Sequence, residues 1–348
     1  MSSPQHRQVE PAGALPGWLG GVWLPAGLLL ALVMGSFLVG EYPVSPTDLA
    51  TVVYARLSGS YHGLPGVIET VLWSRLPRVA AAVLVGAALA AAGATYQGIF
   101  RNPLASPDIL GVSAGAGLGA TIGIFLSLPL LGIQLMAFGF GLGTLLVVYL
   151  IKQAVRSHDP IFTLVVAGVV MGALAGACIS LLQILADPYD HLPAITFWLL
   201  GSLAAVTLSD ITAIVPLILI GLVPLYLLRR RMNLVSSATE ETRELGVDVL
   251  KMRVLFICTA TLMTAGAVSI SGIIGWVGLM IPHIARMLTG PSFSRSLPVS
   301  IMLGASYLLA MDDLARTATV IEIPLGILTA VSGAPFFLWL LAKTRRGW

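Results

Sequence analysis

Three groups of residues in this chain have types and spacings that could do chemistry. Gly111-Val112-Ser113-Ala114-Gly115 carries the letters of a G-x-S-x-G nucleophile elbow. Such an elbow presents its serine on a strand-to-helix turn beside a histidine and an acid. Pro282-His283-Ile284-Ala285-Arg286 offers an imidazole that could move a proton or hold a metal. Arg75-Leu76-Pro77-Arg78 and, far downstream, Asp312-Asp313-Leu314-Ala315-Arg316 bring guanidinium groups suited to forked pairing with carboxylates. The first reading fails on context, because Ser113 opens an apolar, glycine-laddered stretch and not a strand-to-helix turn. The second is a lone histidine. The five histidines include no H-x-x-x-H pair, and no carboxylate lies near His283 in sequence, so a structural or partner-facing role is expected and no metal site. Cys178 and Cys258 each sit inside an apolar run and read as packing residues, not as a disulfide or a metal framework. The chain holds no G-x-x-x-x-G-K-[ST] phosphate loop and no Gly-Lys pair, so hydrolysis of a nucleotide is not expected of it. The arginines remain.

The elements that must position them are set by composition. The chain is 57% hydrophobic and 10% charged over 348 residues, with a mean hydropathy of +0.93. A soluble domain carries about 25% charged residues, so the fold class expected is an all-α polytopic membrane protein. A net charge of +3 is too small to suggest a nucleic-acid partner. The first apolar run, Trp18 to Val39, is too long for a signal-peptide core and lacks both a basic leader and an A-x-A site, so it reads as a retained first span.

A spanning helix needs ~20 mostly apolar residues. Ten runs meet or approach that length: 18–40, 76–99, 109–127, 129–151, 160–186, 209–228, 252–271, 273–289, 297–311 and 324–342, with an extra partial helix expected in 187–208. An even number puts both termini on one side. If that side is the cytoplasm, the inner segments hold 15 of the 19 Lys and Arg residues, and the outer ones only Arg56, Arg75, Arg78 and Arg316. The positive-inside rule then orients the chain with cytoplasmic termini. The domain reading is a cytoplasmic tail over 1–17 and a single transmembrane domain over 18–348, with a hydrophilic inner loop at 229–253. Within that loop Ser237 and Glu240 have capping-box spacing, which predicts a short helix over 238–245 ended by Gly246. Small residues let helices approach closely in lipid, and Gly111, Gly115, Gly119 and Gly123 recur every four residues, as do Gly86, Ala90 and Ala94.

Between the second and third runs the chain breaks at Arg101-Asn102-Pro103-Leu104-Ala105-Ser106-Pro107-Asp108. Pro103 stops the second helix, because the residue before a proline is pushed out of the α region. Ser106-Pro107-Asp108 then reads as a helix start, with a capping hydroxyl, proline in the first turn and an acid beside it. The break is thus a rigid inner turn.

The wording of residues 75–120, "RLPRVAAAVLVGAALAAAGATYQGIFRNPLASPDILGVSAGAGLGA", resembles the signature of the FecCD family, the membrane subunits of ATP-binding-cassette importers for iron-siderophores, haem and cobalamin. Further resemblances follow in order: "FWLLGSL" (197–203), "ATEETRELGVDV" (238–249), "GIIGWVGLMIPHIARMLTGP" (272–291), "DDLART" (312–317) and "EIPLGILTAVSGAPFFLWLL" (322–341). Together they run from about residue 75 to the end.

The resemblance implies a type II importer permease fold in the bacterial inner (cytoplasmic) membrane. It also implies a partner set: a second permease protomer, identical or related, two cytoplasmic ATPase subunits that use ATP and Mg, and a periplasmic substrate-binding protein. The chain itself is then no enzyme and binds no cofactor. Glu240, Glu241, Arg243, Leu245 and Gly246 are implied as the ATPase-coupling segment. Arg75, Arg78 and Arg316 are implied as the docking points for the binding protein, with internal pairing to Asp312 and Asp313 as the alternative. Asn102 and Leu104 resemble an inner gate, completed by Ile161 and Phe162, with a helix C-cap as the alternative role for Asn102. Met171, Gly172, Ala175 and Cys178, small or soft residues on one stripe, are expected to line the path, with a packed core stripe as the alternative. The cargo expected is a metal chelate, a ferric siderophore first, then haem or cobalamin; some relatives carry oxyanions. An ion-gradient-driven secondary transporter would need polar ligands or a carboxylate at mid-membrane, and a membrane-embedded enzyme would need clustered catalytic groups. The sequence offers neither.

Overall fold

The computed structural model describes residues 21–40, 44–58, 74–155, 160–237 and 249–344. Among them there are thirteen α-helices. In chain order these are α1 Trp23–Leu38, α2 Pro46–Ser58, α3 Leu76–Phe100, α4 Val112–Phe125, α5 Leu130–Val155, α6 Pro160–Leu185 and α7 His191–Leu200. After them come α8 Leu208–Leu227, α9 Arg229–Ser237, α10 Val249–Ser271, α11 Val277–Thr289, α12 Phe293–Thr317 and α13 Leu325–Thr344. Six of these, α3, α5, α6, α8, α10 and α12, are long and apolar enough to cross a membrane. The other four helices on the expected runs, α1, α4, α11 and α13, are apolar but shorter in their apolar stretches, and α7 fills the partial helix expected in 187–208.

Helix α3 is the centre. It packs along α12, α10 and α11, and almost its whole length is buried. Side-chain size explains why: a Cβ added at Gly86 would fall 2.3 Å from the Gly304 carbonyl oxygen of α12, and one at Gly93 would fall 1.9 Å from that of Gly278 on α11. Backbones this close need residues with nothing to put between them. The glycine ladder of α4 does the same against α5, where a Cβ at Gly115 would lie 2.1 Å from Thr144 Oγ1 and one at Gly119 2.2 Å from the Met136 carbonyl oxygen. Buried hydroxyls are satisfied locally or across helices: Tyr96 and Thr261 share a hydrogen bond of 2.6 Å between α3 and α10.

Two expectations are corrected. Residues 229–237 are a helix, α9, and not loop. The three arginines made the segment look wholly solvated, but Met232 and Val235 are fully buried, and Asn233 accepts from the Phe293 amide at 2.9 Å and donates to Ser292 Oγ at 3.1 Å. Helix α9 runs to Ser237, and the capping box and short helix expected from there to Gly246 lie outside the described residues. Residues 273–276 are likewise not helical: Gly272 and Trp276 both take positive φ, and α11 starts only at Val277.

Candidate functional site

The inner turn is built largely as its residues dictate. Helix α3 ends at Phe100, and Arg101 takes the left-handed conformation (φ 48°) as its C-cap, so Asn102 does not fill that role. The Asn102 side chain instead accepts the Leu104 amide at 2.9 Å, closing the turn ahead of the second proline. Leu104 stands 56% exposed. Ser106 is extended, Pro107 sits in the first turn, and the start that follows is a short 3-10 turn, Pro107–Leu110, before α4 begins. The hinge between them is Gly111 at φ 72°, a conformation that costs a residue with a Cβ about 1–2 kcal/mol. Ser113 donates to the Asp108 carboxylate, which ties α4 back onto the turn. No histidine lines the small cavity beside this pair, in keeping with a structural serine.

Helix α6 packs onto this turn so closely that a Cβ at Gly168 would fall 2.2 Å from the Ile109 carbonyl oxygen. Turn and helix therefore have to move together. The small stripe expected to line the path faces inward here: Ala175 is buried, and Gly172 lies against Gly111 and Ala114 of the same chain. The outward stripe is bulky, with Val166, Val170, Leu174, Leu181 and Ile184 exposed, and Phe162 is 64% exposed near its inner end. Met171 and Cys178 are half-buried between the two faces. The reason for the difference is that a helix apolar all round carries no amphipathic signal, and small residues mark the face that packs most tightly. Ile161 lies in the first turn of α6.

The C-terminal ends of α1 and α12 and the N-terminal end of α3 meet in a charged cluster. Arg78 donates from Nε to both Asp312 oxygens, at 3.0 and 2.9 Å, and from Nη1 and Nη2 to Glu322 at 2.6 and 3.1 Å. Arg316 donates to Asp313 at 2.5 Å and to the Ser36 carbonyl at 2.7 Å, while Ser36 Oγ donates to the same Asp313 oxygen. Arg75 is only 4% exposed and donates to the Phe37 carbonyl. In this state the geometry follows the internal-pairing alternative. Three arginines face the protein's own acids and carbonyls because a desolvated guanidinium needs partners for its donors. Gly40 passes between Arg75 and Arg316, with φ 146° and its absent Cβ 2.8 Å from Arg75 Nη2. Glu322 was not singled out from the sequence; its only signal was being an acid in an otherwise apolar segment.

The C-terminal half of α11 is held by a further polar joint. Gln97, buried on α3, donates to the Leu279 carbonyl at 3.0 Å and accepts from Arg286, so this arginine is held by an amide inside the bundle. His283 stands edge-on to Phe336, its ring centroid 6.3 Å away. A glutamine inside an alanine-rich run was the available signal for this joint. Glu240, Glu241, Arg243, Leu245 and Gly246 lie outside the described residues, as does the short helix expected there.

Comparison with known proteins agrees with this architecture. Residues 28–343 match the FecCD transport family. A molybdate import system permease protein of Haemophilus influenzae is 38% identical over 325 residues, covering 92% of this chain and 96% of that one. A cobalamin import system permease protein of Halobacterium salinarum is 40% identical over 298 residues, 85% of this chain and 79% of its own length. Among solved structures, an inward-facing metal-chelate type ABC transporter superposes with a TM-score of 0.82 at 37% identity, over 92% of this chain and 98% of its own. An all-helical chain with this packing and a match along nearly its full length is a permease of the FecCD transport family.

Proposed function

We propose that this chain, paired with a second permease protomer, forms the membrane path of an ATP-driven importer for a metal chelate, with a ferric siderophore as the cargo. One observation carries the reading: the family match spans residues 28–343, so the whole helical bundle is shared with import permeases and not one segment of it. Haem and cobalamin are cargoes of the same kind. An oxyanion is the second reading, favoured by the Haemophilus influenzae molybdate permease at 38% identity.

In this mechanism both termini and the inner turn face the cytoplasm of a bacterial inner membrane. Two ATPase subunits, which bind the ATP and Mg, grip the segment carrying Glu240, Glu241, Arg243, Leu245 and Gly246. Their closure moves α6, and the turn locked against Gly168 follows it. Asn102, Leu104, Ile161 and Phe162 then open or shut the inner gate between the two protomers. At the outer face, carboxylates of a periplasmic binding protein compete with Asp312 and Glu322 for Arg78, with Asp313 for Arg316 and with the Phe37 carbonyl for Arg75, so docking exchanges internal partners for external acids.

The test is reconstitution in liposomes with the ATPase subunits and binding protein. ATP-dependent uptake is measured for ferric siderophore, haem, cobalamin and molybdate in parallel. Siderophore uptake is expected, and the pair E241A/R243A should keep hydrolysing ATP while uptake falls by more than tenfold. Uptake driven by an ion gradient with no ATPase present would overturn the importer class, and molybdate uptake alone would replace the cargo.

A further inference from the structure

One large cleft plays no part in that mechanism. A cavity of about 500 Å³ opens between the inner half of α5, the start of α6, the end of α3 and the first turns of α10. Phe100, Leu142, Leu145, Leu164, Val254 and Ile257 make its walls, which are almost purely apolar. Leu142 and Lys152 are ten residues apart on α5, which puts about 15 Å of apolar groove below the lysine. The only charges in the lining stand at one end: Lys152 on α5 and Arg253 on α10. Lys152 lies 5.5 Å from the centre of the Tyr149 ring, which holds it over the mouth. Arg253 Nε is buried without a hydrogen-bond partner, and among the described residues no ion pair joins either cation to an acid. Arg101 adds its charge to the same side.

An apolar slot ending in two cations that no acid among the described residues neutralises is complementary to one common molecule of its surroundings. We propose that the cleft between α5 and α10 binds an anionic phospholipid. One acyl chain lies along Leu142, Leu145 and Ile257, and the phosphate sits between Lys152 and Arg253. Basic residues at the membrane boundary between helices favour anionic headgroups, and the buried Nε supplies a donor that a phosphate oxygen satisfies. The surface on either side is itself apolar, with Leu146, Leu150, Leu250 and Leu255 exposed, as a lipid-facing wall requires.

Full-length protein, purified in a nonionic detergent and stripped of lipid, tests the proposal by thermal unfolding and native mass spectrometry. Phosphatidylglycerol should raise the melting temperature and stay bound at one copy per chain. Phosphatidylcholine with the same chains should bind more weakly, and glycerol 1-phosphate, a headgroup without chains, should have no effect. K152Q/R253Q should lower phosphatidylglycerol affinity roughly 30-fold, the product of two membrane-facing cations, while its lipid-free melting temperature stays unchanged. V254W, which fills the slot and keeps both cations, should abolish retention of either lipid. Equal binding of the two lipids, an equal response to glycerol phosphate, or an undiminished preference in K152Q/R253Q would overturn the site. So would occupation of the cleft by a second copy of the chain, read as a concentration-dependent loss of lipid binding.

Discussion

Helices α3 and α6 are both apolar from end to end, yet 83% of the residues in the apolar stretch of α3 are buried, against 22% in α6. Polarity does not separate them; side-chain volume does. α3 is built from nine alanines and three glycines, and six helices among the described residues, α12, α10 and α11 foremost, close around it. α6 turns Gly168, Gly172 and Ala175 inward, the two glycines against the turn and the start of α4, and shows Val166, Val170 and Leu174 outward, with Gly176 in open space. In a membrane, where burial of apolar surface from water no longer sorts helices, the smallest residues mark the deepest positions.

The contrast can be attacked at its strongest point first. Arg78→Ala should leave Asp312, whose side chain is 1% exposed, without its main counter-ion and cost about 3–5 kcal/mol. Failure of the protein to accumulate, or a sharp fall in melting temperature, is the expected reading; an unchanged melting curve would show that α3 is not held at its outer end. Next in size is a matched pair. Gly93→Val must separate α3 from α11 and should cost about 1–3 kcal/mol or more, whereas Gly176 of α6 has open space around its Cβ position and Gly176→Ala should be neutral or stabilising by about 0.5–1 kcal/mol. Equal losses at the two glycines would erase the distinction between the helices. Tyr96→Phe removes the buried hydroxyl pair with Thr261 and should cost about 1 kcal/mol in thermal unfolding. Smallest of all, Val170→Ala on the outward stripe of α6 should stay within about 0.5 kcal/mol; a larger loss in the isolated chain would mean that the stripe packs inside it.

Much of this fold was legible in the residues. Each of the ten apolar runs contains a helix, the glycine ladder from Gly115 to Gly123 found its partner in α5, and Asn102-Pro103 ended α3 where the steric argument puts the stop. The misses share a cause. Arg229-Arg230-Arg231 hid the buried Met232 and Val235, because charge at the head of a helix says little about the face it turns inward. Met171, Gly172, Ala175 and Cys178 stood open between a path and a packed core, because small residues suit both. Pairing of the arginines with Asp312 and Asp313 stood open as the alternative to docking, but Arg78 and Asp312 are 234 residues apart, so nothing local in either motif chooses it. Gln97 and Glu322 were visible only as polar residues in apolar surroundings, and which partner each finds depends on a tertiary approach that no spacing encodes.

That long separation between Arg78 and Asp312 bears on how the molecule is made. Ribosomes add about 5–20 residues per second, so the 234 residues between arginine and aspartate take roughly 10–50 s to emerge. For that interval the guanidinium has already been handed to the bilayer while its acid has not yet been synthesised, and it must wait in interfacial water. A nascent chain interrupted before Asp312 keeps that charge unneutralised and its first helices unfastened, which gives quality-control proteases a physical mark of an unfinished product.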